Sequence, residues 1–162
     1  MKSAWKTYDL SKTRNSSLIG AIGEVFAWKY LQRNRIFAYK IGAWYPFATY
    51  PFHRGGLKYE LRGLSKEQIE YLKEMWLHGP VRFDFVGIRR KWSWKKRDYV
   101  ITPYLIEVKT TGPRGERKDL HELMKGRIPQ RIEKAKAVGF KVLLVVVKLL
   151  DNWKYAITSR EL

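Results

Sequence analysis

The sequence predicts an α/β fold, a mixed central β-sheet flanked by helices. Three observations point there. Capped stretches with helical spacing alternate with short runs rich in β-branched and aromatic residues. The run from Phe140 to Lys148 is apolar almost throughout, as expected of a strand covered on both faces. The 162 residues, 45% of them hydrophobic, suffice for one domain with a real core. The element order reads helix, strand, insertion with helix, two strands, helix, strand, strand, which is a layered α/β arrangement. Residues 1–162 are therefore expected to form a single domain, with an aromatic-rich insertion and helix at about 42–80.

Residues 1–14 read as a basic arm anchored by Trp5 and Tyr8. Asn15 or Ser16 caps a helix that runs to about Asn34. Lys29, Gln32 and Arg33 form its polar arc, and Gly20, Glu24, Ala27 and Leu31 lie nearly opposite. Gly20, Gly23 and Ala27 would let this face approach another backbone closely. Glu24 is then either an acid within a buried face or a surface acid at its edge. Arg35 to Ile41 reads as a strand. Residues 42–63 carry Trp44, Tyr45, Phe47, Tyr50, Phe52 and Tyr59, while Pro46, Pro51 and Gly55-Gly56 exclude a long regular element. Such aromatics either fold back as a lid on the core or stack on unpaired bases.

Ser65 and Gln68 have capping-box spacing at the head of a second helix, whose apolar stripe is Ile69, Leu72, Met75 and Trp76 and which stops near Gly79-Pro80. Val81 to Arg90 reads as a strand, with Phe83 and Phe85 on one face and Asp84 and Val86 on the other. Lys91 to Asp98 reads as the hairpin connection to a strand from Tyr99 to Thr111, closed by Gly112-Pro113. With Trp92, Trp94, Lys95, Lys96 and Arg97, that connection suits phosphate contact plus base stacking, although an ordinary exposed hairpin tip has the same composition. Residues 119–126 look helical, and Pro129 suits the first turn of a helix reaching Val138. Arg127, Gln130, Arg131 and Lys134 share one face of that helix and its lead-in, and Ile128, Ile132 and Ala135 the other. The basic face is either a nucleic-acid contact or simply solvated. Gly139 stops the helix, and Trp153 to Thr158 makes a short last strand.

Thirty-three Lys and Arg against fifteen Asp and Glu leave a formal charge of +18, with a pI near 10.1. Self-repulsion on that scale calls for a polyanionic partner, and nucleic acid is favoured over an anionic membrane because no long basic amphipathic helix is present. There is no cysteine, which excludes disulfides and thiolate zinc sites. His53, His78 and His121 lack ligand spacing. Met1 to Arg14 is too polar for a signal peptide, and Val142 to Leu150 is too short to span a bilayer, so a cytoplasmic location is expected.

On the strand from Tyr104, side-chain alternation puts Leu105, Glu107 and Lys109 on one face and Tyr104, Ile106 and Val108 on the other. Two charges at the end of an apolar strand need each other or an ion. On that run alone, a simple i, i+2 ion pair is as good an account as a functional site. If the two strands pair as a hairpin, Asp84 lies beside Glu107. Two carboxylates with a backbone carbonyl then form an oxygen-rich pocket suited to Mg²⁺ or Mn²⁺, and Lys109 stands where it can neutralise developing negative charge. Metal-assisted phosphodiester hydrolysis is the chemistry that this set suits.

Asp84 followed by Glu107-Val108-Lys109 resembles the signature of the PD-(D/E)xK nuclease superfamily, the restriction-endonuclease-like fold. The Gly20-to-Glu24 helix ahead and the Gln130 helix with its apolar strand behind are similar in order. Within the superfamily, the small basic archaeal Holliday junction resolvases look most similar. The resemblance covers 15–34 and most of 81–148, and it departs where Phe83 replaces the usual proline before the aspartate. It implies Asp84, Glu107 and the Val108 carbonyl as ligands of Mg²⁺ or Mn²⁺, and Lys109 as the catalytic lysine. It further implies Glu24 as an ancillary carboxylate, Gln130 as an accessory residue, DNA as substrate, and a homodimer. Lys95, Lys96, Arg97, Arg127, Arg131 and Lys134 are the expected nucleic-acid contacts. The alternative is a DNA- or RNA-binding module of the same fold without turnover.

Overall fold

A computed structural model describes residues 16–41, 63–77, 83–112, 128–150 and 154–162. Its elements are α1 (Ser16–Arg33), β1 (Phe37–Lys40), α2 (Lys66–Leu77), β2 (Phe85–Ser93), β3 (Asp98–Thr111), α3 (Ile128–Ala137), β4 (Lys141–Leu149) and β5 (Tyr155–Glu161). The strands form one sheet in the order β1-β2-β3-β4-β5. Neighbours are antiparallel except β3 and β4, which are parallel, so the sheet is mixed and α3 lies in the crossover between them. The expected α/β sandwich is therefore present in its architecture. The arm 1–14, the aromatic run 42–62, the helix expected at 119–126, Arg127, Trp153 and all three histidines lie outside the described residues.

Local chemistry sets the helix ends. The α2 capping box forms as its spacing predicts: Ser65 N–H donates to Gln68 Oε1 (2.9 Å), and Gln68 N–H donates to Ser65 Oγ (3.2 Å). The α3 helix ends in a Schellman motif, in which Phe140 N–H donates to the Ala135 carbonyl and Gly139 N–H to that of Lys136. Gly139 takes the left-handed position at φ 90°. The α1 helix ends in the same way, Ile36 N–H donating to Leu31 and Arg35 N–H to Gln32, but here a non-glycine, Arg35, adopts φ 59°. That left-handed residue is why β1 begins at Phe37 rather than at Arg35, where sequence alone starts it.

The sheet separates two cores. On one face Leu72 and Met75 of α2 and Ile132 and Ala135 of α3 pack with Phe83, Val86, Ile88, Leu105 and Val142. On the other, Ala27 and Leu31 of α1 pack with Ala38, Phe85, Ile106, Val145 and Val147. As expected, β4 is buried on both faces along most of its length. Gly23 is the point of close approach between α1 and β3: a Cβ there would overlap the Thr110 hydroxyl. Gly20 has no such role, since a Cβ there meets nothing within 4 Å.

Two strand assignments need correction. Asp84 is not within a strand but in a bend just before β2, and the bend interrupts the alternation. Phe83 and Phe85 consequently enter opposite cores rather than sharing a face. At its other end β2 continues to Ser93, so Trp92 stands on the strand and only residues 94–97 make the turn.

The strand β3 serves as two half-strands. Residues 98–106 pair with β2, while residues 104–111 pair with β4, so only Tyr104, Leu105 and Ile106 have partners on both sides. Pro103, which cannot donate to a ladder, falls just before β4 joins. Among the described residues, no helix is long and apolar enough to cross a membrane.

Candidate active site

Where β2 stops and β3 runs on, the next β3 amide facing that gap would lack a strand partner. Asp84 fills the place. Its own N–H donates to the Ile106 carbonyl (2.9 Å), its carbonyl accepts from Ile41 N–H (2.8 Å), and its Oδ2 accepts from Val108 N–H (2.6 Å). Backbone and side chain together tie this carboxylate to both neighbouring segments. In an antiparallel ladder the N–H and C=O of one residue face the same neighbour, so the Val108 carbonyl looks toward the Asp84 side as well. The Val108 side chain is buried in the α1-facing core.

Glu107 lies on the opposite face from Val108 and is buried, at 7% relative exposure. Its Oε1 accepts from Lys109 Nζ at 2.6 Å and has Arg131 Nη2 at 3.7 Å. Its Oε2 is buried without a hydrogen-bond partner in the structure. That orphaned oxygen is unusual in a folded protein, where buried polar atoms are normally satisfied. Burial first, and then the negative charge of Glu107, push the Asp84 carboxyl up to about 6, while the Val108 N–H, Lys109 and Lys40 pull the other way. Two carboxylates thus stand close enough to oppose each other's ionisation, and one has an oxygen aimed at nothing. A hard divalent cation supplies what both lack, so these residues fit the metal that the sequence implied.

Lys40, at the end of β1, was not anticipated. It forms an ion pair with Glu24 of α1, and its charge also acts on Asp84. Burial lowers the Lys40 pKa, and the Asp84 carboxylate partly offsets this. Glu24 is half-buried, and among the described residues no three carboxylate or histidine groups come together as a metal cluster. Glu24 and Lys40 instead line a cavity of about 590 Å³ between α1 and β1, with Val25, Trp28 and Phe37.

The basic face expected on α3 divides. Arg131 is buried, with its guanidinium 5.3 Å from the centre of the Phe83 ring and its end toward Glu107. It is therefore a partner of the acidic site rather than a surface phosphate contact. The buried arc of α3 is Arg131, Ile132 and Ala135, which helical spacing allows as readily as the arc without the arginine. Gln130 and Lys134 are exposed on α3. Lys95, Lys96 and Arg97 are exposed in the β2–β3 turn, remote from the carboxylates. Neither Lys40 nor Arg131 has a local sequence signal for its place: one depends on strand pairing, the other on how α3 is rotated.

Comparison of the chain with protein-family models, with curated proteins and with solved structures gave no match.

Proposed function

We propose that this protein is a metal-dependent endonuclease that hydrolyses DNA phosphodiester bonds, with the restriction-endonuclease-like arrangement that Asp84 and Glu107-Val108-Lys109 resemble. The observation that carries this reading is the buried, unpartnered Oε2 of Glu107 beside an Asp84 carboxyl raised to about 6. Asp84, Glu107 and the Val108 carbonyl would hold Mg²⁺ or Mn²⁺. When bound, the ion supplies Lewis-acid charge stabilisation and a more acidic water. Lys109, whose side chain is 33% exposed while bonded to Glu107, is free to meet a phosphoryl oxygen from the solvent side. Arg131 braces Glu107 from behind, and Phe83, which stands where the nuclease pattern has proline, supports Arg131. The +18 charge supplies the attraction for substrate.

One observation favours a second reading, binding without turnover. Three carboxylates, Glu24, Asp84 and Glu107, are already faced by three cations, Lys40, Lys109 and Arg131. Incubation with branched, duplex and single-stranded DNA and RNA, with Mg²⁺ or Mn²⁺, separates the two. Cleavage of DNA is expected, falling at least about a hundredfold in Glu107→Ala, on the scale of removing a group that stabilises transition-state charge. Binding without cleavage of any substrate, or a Glu107→Ala protein as fast as the parent, removes the nuclease reading.

A further inference from the structure

Among the described residues, from Arg89 to Ser93 and from Asp98 to Thr102, β2 and β3 pair only with each other, beyond the reach of β1 and β4. The result is a two-stranded ribbon projecting from the sheet, closed by the turn 94–97, with Arg97 at φ 49°. Its end carries three aromatic side chains in contact. The Trp92 ring packs edge-to-face against Trp94 (centroids 6.1 Å apart, 84°) and against Tyr99 (5.1 Å, 76°). Trp94 is 85% exposed and Tyr99 58%. Lys95, Lys96 and Arg97 are exposed in the same turn as Trp94, Lys91 stands on the opposite face of the ribbon from Trp92, and no carboxylate forms an ion pair with any of these among the described residues. The one acid at the turn, Asp98, uses Oδ1 to accept from Tyr99 N–H.

A two-stranded ribbon gains protection from further strand pairing by carrying lysine and arginine. That accounts for the charges. It does not account for three large rings held together in water, whose exposure opposes the hydrophobic effect. Rings that pack edge-to-face leave at least one broad face open. A cationic turn next to such rings matches one ligand chemistry closely: unpaired bases on a phosphate backbone, where stacking and charge neutralisation act together.

The pairing of β2 and β3 is continuous, without a bulge, from Phe85–Ile106 to Ser93–Asp98. Alternation therefore puts Tyr99, and Trp92 opposite it, on the same sheet face as Leu105 and Glu107. Tyr99 and Glu107 are eight residues apart on one extended strand, a span of about 27 Å at roughly 3.4 Å per residue.

We infer that the Trp92–Trp94–Tyr99 cluster is a stacking platform for unpaired bases, placed at the far end of the β2–β3 pair from the Glu107 site. The platform selects nucleic acid in which duplex passes into single strand. This rests on the nuclease reading only for what lies at the other end of the span, because the platform itself is a binding site and needs no turnover.

Binding is therefore measured with EDTA present. The probes are a blunt DNA duplex and the same duplex with a ten-nucleotide single-stranded tail, titrated against the full chain and against Trp94→Ala and Trp94→Phe. The parent is expected to prefer the tailed duplex, with Trp94→Ala weakening tailed binding about tenfold or more and Trp94→Phe retaining most of it. Intrinsic fluorescence should be quenched by the tail in the parent and less so in the alanine variant. Equal affinity of the parent for both probes, or equal weakening of both by Trp94→Ala, overturns the proposal. Trp94-dependent binding to phosphatidylserine-containing vesicles, with tailed-duplex binding unchanged by the substitution, overturns it in favour of a membrane contact. Loss of cleavage with tail preference intact would strike at the nuclease reading alone.

Discussion

The two ends of the β2–β3 pair carry charge in opposite ways. At the Asp84 end the ionised groups are buried or half-buried, matched one against another, and fixed by backbone hydrogen bonds. At the turn end they are exposed, of nearly one sign, and share the turn with aromatic rings in water. One pair of strands thus spans the range from a dry, balanced charge cluster to a wet, unbalanced one. In the first, altering a charge should change folding stability. In the second, it should change what the protein attracts.

The largest effect is expected at Arg131. Removing it by Arg131→Ala leaves Glu107 buried with Lys109 alone and opens space beside Phe83, so chemical denaturation should show a loss of about 3–5 kcal/mol. A change below about 1 kcal/mol would mean that the acidic end is not the tightly balanced cluster described here.

Asp84→Asn comes next, with the opposite sign. The folded Asp84 carboxyl holds its proton more strongly than an ordinary one, at about 6 against 3.8. The folded state therefore binds more protons than the unfolded state between those values, and this group's contribution to stability falls as pH rises from about 4 to about 6. At pH 8 the ionised group costs about 2–3 kcal/mol, which Asp84→Asn should recover while keeping an acceptor for the Val108 N–H. Denaturation midpoints from pH 4 to pH 8 test this: the variant should lack the parent's decline over that window. Saturating Mg²⁺ should stabilise the parent at pH 8 and the variant far less.

The smallest effect belongs to the turn. Trp94→Ala should leave stability within about 0.5 kcal/mol, because the side chain has little contact to lose. A larger loss in a thermal melt would mean that the aromatic cluster is a structural staple of the ribbon, and the contrast between the two ends would narrow.

Much of the fold was legible in the sequence because its signals are local. The Ser65–Gln68 box, the Gly139 stop and the continuous apolar run of β4 each depend on a few neighbouring residues, and each appears where expected. Reading failed where a local irregularity resets a period. The bend at Asp84 sends Phe83 and Phe85 to opposite cores, and the left-handed Arg35 shortens β1; neither residue type announces such a backbone. The carboxylates of the candidate site could be found from spacing and strand pattern. Their cations Lys40 and Arg131 could not, since a wheel of α3 fits equally well with Arg131 in solvent, and Lys40 meets Asp84 only through the pairing of separate strands.

The hydrogen bond from Val108 to Asp84 has a spectroscopic consequence. A backbone amide near the C-terminal end of β3 donates directly to the Asp84 carboxyl. The resonance of that one amide proton follows the charge on Asp84, and through it the charge on Glu107 that opposes its ionisation. Protonation, an arriving cation or a bound phosphate each alters what the amide feels, so β3 carries an internal reporter of its own chemistry, readable without a label.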